Sequence, residues 1–180
     1  TIKDDNTIFL TFDDWGSDIA INKLLYILDK YNVKATFFVR TNHIDDNPSL
    51  LRTIALAGHD IASHSDNHIL LSNTTDKKGV FAEITDKQAE AIQEDVILSY
   101  VISGDFTTQD YEAKSAEELI NKLKYGIVSG ENNEIKITHG SMVVMHMSDE
   151  AKFTAEALDT IIPYYLSQGY KFGRISDYLR

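Results

Sequence analysis

The chain has 180 residues, 43% of them apolar and 25% charged, which suits about one globular domain with a real core. That composition excludes a disordered, collagen-like or coiled-coil chain. There are 17 basic and 28 acidic residues, a net charge of −11. Nucleic-acid binding needs a cationic footprint, which this chain lacks, and its acidity disfavours a polybasic membrane-surface binder. Uncharged or cationic partners remain open. There are no cysteines, so disulfides and thiolate metal sites are excluded and a metal has only His, Asp or Glu to hold it. No apolar run approaches the roughly 20 residues of a membrane-spanning helix. Thr1 in place of an initiator Met reads as a trimmed chain, so the lack of a leader carries no information about the parent.

In chain order, Thr7–Phe12 reads as a buried strand of β-branched and aromatic residues. Ile21, Leu24, Leu25 and Leu28 follow at the spacing of one helix face. Ala35–Val39 reads as a second strand. Asn47 and Pro48 open a helix as N-cap and first residue, Leu51, Ile54 and Ala55 form its core face, and Gly58 closes it. Asp60–Ser63 reads as a third strand, residues 72–79 as a polar loop, Ile84–Tyr100 as a helix and Val101–Ser103 as a short strand. Ser115 and Glu118 form a capping box that opens a helix to about Tyr125. Ser141–Met145 is a further apolar strand. Thr154 starts the last helix, with Leu158, Ile161, Ile162, Tyr165 and Leu166 inward, Gly169 closing it and Pro163 predicting a kink. Strand and helix alternate throughout, which argues an α/β domain with a parallel sheet, open or closed into a barrel. In such folds function sits at the carboxyl ends of the strands.

Those ends carry the chemistry. The first strand ends in Asp13 and Asp14. Adjacent carboxylates at the end of a buried strand repel and lose hydration unless a cation is present, although a helix N-cap pair is the ordinary alternative. The third strand ends in His64 and His68, four residues apart, so both rings can reach one ion from a helix or turn. Two exposed loop histidines are the ordinary alternative. His146 follows the Ser141–Met145 strand, and a lone His there is more often structural than catalytic. Asp105 and Asp110 follow Val101–Ser103 and alone read as loop acids. Together these residues converge on one rim. An Asp with two His residues is a zinc-type set with open positions, and Asp13 and His146 flank it as base and acid.

These motifs resemble those of the polysaccharide deacetylases, the NodB-homology family of carbohydrate esterases. Thr11-Phe12-Asp13-Asp14 is similar to its first motif and His64-Ser-Asp-Asn-His68 to its second. Val143-Val-Met-His146 resembles its last motif. Tyr31–Val39, Ala57–Ile61, Gln168–Phe172 and Ile175–Leu179 resemble its connecting and closing segments, so the likeness runs along nearly the whole chain. The resemblance implies one domain over 1–180, a distorted NodB-like (β/α) barrel of about seven parallel strands. It implies Asp14, His64 and His68 as ligands of a divalent metal, usually zinc, with cobalt, nickel or manganese accepted by the same donors. It implies Asp13 as general base toward water, His146 as general acid toward the leaving amine, and Asp110 as the acid that orients and charges that imidazole. Trp15, Tyr111 and Val144 would meet the substrate.

The activity implied is hydrolysis of N-acetyl groups on an N-acetylglucosamine polymer, peptidoglycan ahead of chitin-like chains, by an exported bacterial protein at the cell surface. An O-acetyl esterase acting on xylan or another acetylated glycan is the second reading. A metal- or glycan-binding domain without catalysis is the third. That third reading rests on an absence: the family's Arg-x-Pro motif, which holds the base and lends an oxyanion donor, is nowhere in the chain. The text passes from Glu94–Tyr100 into Val101–Ser103 without a turn residue, so a segment is expected to be missing near residues 100–101. Loss of one oxyanion donor costs on the order of 10²–10³ in rate. Three further departures are Trp15 after Asp14 where Gly-Pro is usual, Tyr111 where Trp is usual, and a wide spacing of Asp105 and Asp110. Trp15 either stacks on a sugar or packs. His59 reads as structural, and His43 and His139 as exposed.

Overall fold

The computed structural model describes residues 6–68, 97–98, 106–129 and 133–178. Within them strand β1 is Thr7–Asp14, helix α1 Asp18–Lys30, β2 Thr36–Val39, α2 Pro48–Leu56 and β3 Asp60–Ser63. Two short strands follow, β4 at Ile97–Leu98 and β5 at Phe106–Thr107. Then come α3 (Ala116–Tyr125), a hairpin of β6 (Ile127–Ser129) and β7 (Asn133–Ile135), β8 (Met142–His146), α4 (Thr154–Ser167) and β9 (Lys171–Phe172). Seven strands make one sheet in the order β4-β3-β2-β1-β8-β5, with β9 paired to the start of β1 ahead of β2. Every pair in that sheet is parallel. The strands are near-continuous apolar runs because helices cover one face and the interior fills the other.

Side chains alternate across β1. Ile8, Leu10 and Phe12 join the cluster that also holds Ile21, Leu24 and Leu28 of α1 and Leu158, Ile161 and Ile162 of α4. Phe12 meets the Phe37 ring at 5.1 Å, and each such ring is worth roughly 1.5–3 kcal/mol when fully buried. Phe9, Thr11 and Asp13 take the opposite face. Phe9 packs edge-on against Tyr178 at the amino end of the strand, and Asp13 stands at the carboxyl end. Ile54 and Leu51 bury the inner face of α2.

The local expectations fare unevenly. Ser115 accepts from the Glu118 N–H, but the Glu118 carboxylate turns back to the Lys114 N–H rather than to Ser115. Asn47 is the N-cap of α2 without a capping bond, its side chain being engaged by Asp18 and Ser49. The assigned α4 runs unbroken across Pro163. The Asp159 carbonyl, which Pro163 leaves without its usual donor, lies 2.9 Å from the Tyr31 hydroxyl. Leu166 is 40% exposed rather than inward, because Tyr165 continues the buried stripe and Leu166 sits about 100° further round. Ile97–Leu98 is a strand paired with Ile61 and Ala62, not part of a helix to Tyr100, since the open edge of β3 offers a ladder that outweighs local helix preference. The rest of that helix, the loop at 72–79, the strand at 101–103 and the missing segment near 100–101 lie outside the described residues.

Gly16 is buried where β1 leaves the sheet, and a Cβ there would collide with the Met147 carbonyl just after β8. Gly16→Ala is expected to push these two rim segments apart and to cost about 1–3 kcal/mol in urea unfolding. An unchanged midpoint with unchanged slope would contradict that reading.

Candidate active site

Register builds the site. Asp13 is the Cα partner of His146, and Asp14 the partner of Val39. Asp13 and Asp14 end β1, His146 ends β8, and His64 and His68 follow β3, so all lie at the carboxyl rim of neighbouring strands. The segment after β3 is a tight turn rather than a helix. His64 N–H donates to the Val39 carbonyl at 2.8 Å, and Ser65 and His68 take left-handed backbone at φ 64° and 56°. The Ser65 hydroxyl accepts from the His68 N–H, and the buried Asp66 accepts from the Thr41 hydroxyl. Asp14 itself sits at φ 77°, a strained setting for a residue with a side chain, of the kind that clusters at functional sites.

This turn aims both imidazoles at one carboxylate. His64 Nε2 lies 3.6 Å and His68 Nε2 3.7 Å from Asp14 Oδ1. One ligand atom from each of Asp14, His64 and His68 lies within 4.8 Å of the others. Asp14 Oδ1 is buried with no hydrogen-bond partner, an arrangement that costs energy unless something positive sits there. Burial pushes the His64 imidazole down to about 4, against the pull of Asp14, so it is neutral with a free lone pair at pH 7. An orphaned carboxylate oxygen and a neutral imidazole are the donors a divalent cation requires, and the residues fit one.

Asp13 and His146, paired across β1 and β8, lie beside this triad. Burial, with Asp14 and Asp110 adding and His146 opposing, pushes the Asp13 carboxyl up to about 7. For His146, burial acts to lower the pKa, but the Asp110 hydrogen bond and the charges of Asp110, Asp13 and Asp14 together raise it above the ordinary value. Asp110 is fully buried, 2.7 Å from His146 Nδ1 through one oxygen and 2.9 Å from the His146 N–H through the other. The first residue of α4, Thr154, donates its hydroxyl to that second oxygen at 2.6 Å. Thr154 was read only as a helix start. No sequence signal marks it, because a Thr that opens a helix ordinarily reads as its cap. Asp110 is thus the carboxylate on His146, while Asp105 lies outside the described residues.

The remaining candidates are spread around this centre. Tyr111 is 43% exposed and meets the His146 ring edge-on at 4.8 Å. Val144 is half-buried on β8, two residues before His146 and on its face of the sheet. Trp15 packs against the core and stacks on His43 at 6.4 Å. His43 is half-buried rather than exposed, because that stack and the Asp46 carboxylate at 2.9 Å hold it. His139 is exposed. The buried His59 accepts from the Ala35 N–H and is pushed down to about 4 by burial, a structural role as expected.

The chain is similar to known proteins. The chain is 29% identical to a peptidoglycan N-acetylglucosamine deacetylase of Listeria monocytogenes over 97% of its own length and 39% of that protein's. It is 27% identical to a peptidoglycan N-acetylglucosamine deacetylase of Bacillus cereus, covering 99% of the chain and 90% of the relative. The chain spans only 56% of a further relative from Bacillus subtilis, to which it is 30% identical. The solved structure of a family 4 acetyl xylan esterase from Clostridium thermocellum, in complex with cobalt, superimposes with a TM-score of 0.80 at 26% identity over 95% of this chain and 89% of that one. The shared architecture is the distorted NodB (β/α) barrel. Residues 2–96 match the family description "Polysaccharide deacetylase", and the chain belongs to that family.

Proposed function

We propose that the chain is a metal-dependent N-deacetylase that removes acetyl groups from N-acetylglucosamine-containing glycan, peptidoglycan before chitin-like polymer, and that it works outside the bacterial cell or at its surface. One observation carries the reading: a cluster of three potential ligands at Asp14, His64 and His68 lies beside an acidic side chain, Asp13, and an Asp-supported imidazole, His146, that are paired on adjoining strands. A divalent cation there, zinc first and cobalt, nickel or manganese with the same donors, supplies Lewis acidity toward the acetyl oxygen and toward water.

The chain's own groups supply the proton transfers. Asp13, ionised, takes the proton of the attacking water at a carboxylate oxygen. His146 Nδ1 is committed to Asp110, which leaves Nε2 as the nitrogen that delivers a proton to the leaving amine. The amide C–N bond breaks, and the products are acetate and the free amino sugar. The Asp110 carboxylate keeps the imidazole protonated to higher pH than a free one, which an amine leaving group needs and an ester leaving group needs less. Tyr111, beside His146, and Val144 below it form a wall for the acetyl group. The likeness to an acetyl xylan esterase favours O-deacetylation of a neutral glycan as the second reading.

Acetate release from N-acetylglucosamine oligomers tests the proposal. Chelation is expected to abolish release and zinc or cobalt to restore it. His64→Ala and His68→Ala are expected to weaken metal binding, read by titration calorimetry, whereas Asp13→Asn and His146→Ala retain the metal and lose about 10²–10⁴ in kcat. Full metal binding with no acetate from amide or ester would instead identify a metal- and glycan-binding domain. Faster acetate release from acetylated xylan than from the amide would select the esterase reading.

Asp110→Asn removes the group that raises the His146 pKa. Because His146 acts in its protonated form, activity falls as pH rises through that pKa. The substitution should therefore move the alkaline limb of the pH–rate profile to lower pH as well as lowering kcat. A limb that stays in place would exclude His146 as the acid.

A further inference from the structure

Two grooves meet on the flank of the sheet beside the reaction centre. A small one of about 130 Å³ begins at His146 and passes Ser148 and Lys152 to Ile19, Lys23 and Ala155. A larger, open one of about 500 Å³ begins at those same three residues and continues between α1 and α4 past Tyr26 to Asp159. We propose that this continuous groove is a distal subsite for the amino-sugar polymer, holding sugars beyond the one whose acetyl group is removed. The inference rests on the deacetylase reading of the rim, because that reading makes His146 the point from which a glycan chain extends.

Its continuity, lining, length, fixed walls and charge carry it. The groove is continuous with the catalytic imidazole through shared residues, so a polymer at His146 has a direct path into it. Its floor and wall are apolar and aromatic: Ile19 and Tyr26 are each 70% exposed. Asn22, Lys23 and Glu156 stand at its edge, the mixture of apolar surface and a few polar groups that suits a sugar's C–H face and hydroxyls. Ile19, Lys23 and Tyr26 lie on one face of α1 and span about 10 Å, the length of a short oligosaccharide. The walls are also held in place. Ser17 donates its N–H and hydroxyl to Asp149 at 2.9 and 2.5 Å, tying the segment after β8 to the start of α1. At the far end Lys30 and the Tyr31 hydroxyl fix Asp159 at 2.6 and 2.7 Å. Such a groove needs little ordering when it binds. Asp18 and Glu156 at its edge complement the free amines of a chain already deacetylated in part and oppose a second copy of this acidic chain.

The test uses the zinc-loaded protein with N-acetylglucosamine dimer and hexamer, in the original chain and in Tyr26→Ala and Ile19→Asn. Both positions are exposed and outside the catalytic machinery. Amide NMR shifts and calorimetric titration read binding without turnover, and acetate release reads kcat/KM. The hexamer is expected to shift the amides of Tyr26 and Ala155, and Tyr26→Ala to weaken hexamer binding and raise its KM roughly three- to tenfold while leaving the dimer unchanged. Hexamer shifts at the groove that Tyr26→Ala abolishes support the subsite even if no acetate is released, which would fault the deacetylase reading alone. Acetate release with the same length dependence in all three proteins, or hexamer binding without shifts on α1 and α4, overturns the subsite and leaves the deacetylase reading standing.

Discussion

Two carboxylates in succession at the end of a buried strand are the constraint around which the rest of this molecule is arranged. Asp13 and Asp14 repel each other in a setting that removes most of their hydration. Each is accommodated differently. Asp13 is pushed up to about 7 by burial, with His146 opposing the rise. Asp14 keeps an oxygen buried without a partner, facing two imidazole nitrogens. The left-handed backbone at Asp14 turns this second carboxylate toward the His pair rather than leaving it in line with the strand. Strain, repulsion and an orphaned acceptor are costs that a cation held at Asp14, His64 and His68 would offset together.

The parallel sheet makes that concentration of charge affordable by placing it at one rim. Parallel strands align their carboxyl ends, so the residues that end β1, β3 and β8 face a common space although more than a hundred positions separate Asp13 from His146. Support comes from behind. Asp110 is fully buried, uses both oxygens on His146 and takes a third bond from Thr154 at the start of α4. A buried charge satisfied this completely polarises the imidazole without itself needing solvent. The close approach of Gly16 to the Met147 carbonyl then locks the exits of β1 and β8 against each other. The same locked exits lead to the groove between α1 and α4, so the walls of that groove and the spacing of Asp13 and His146 share one set of contacts.

Much of this is written in the text of the chain. The apolar runs Thr7–Phe12, Ala35–Val39, Asp60–Ser63 and Ser141–Met145 have the composition of buried parallel strands, and the helix faces of α1 and α2 are legible from spacing, whereas the two-residue strand Phe106–Thr107 is too short to show in the text. The grouping of Asp14, His64 and His68 was legible because an Asp at one strand end and a His pair at another leave few other uses for such costly groups. Less legible were contacts that join distant segments. Nothing local marks Thr154 as a partner of Asp110, Tyr31 as the donor near the carbonyl left by Pro163, or His43 as the surface under Trp15. Leu166 was misread because an apolar residue one step round a helix looks like a continuation of its stripe. Ile97–Leu98 was misread because a two-residue strand has no periodicity of its own.

Residue types and their order therefore determined the class of chemistry: an acid pair, a His pair and a terminal His, carried on strand ends, with no thiol available as a ligand. They also determined that the sheet would be parallel, since long helical stretches separate the apolar runs. Register and loop closure, which depend on packing across the whole barrel, were decided only in three dimensions. They selected Asp110 as the partner of His146, turned Trp15 onto His43 rather than into open solvent, and opened a groove along α1. Those outcomes depend on distances between segments that share no local signal, and only the tertiary fold sets such distances.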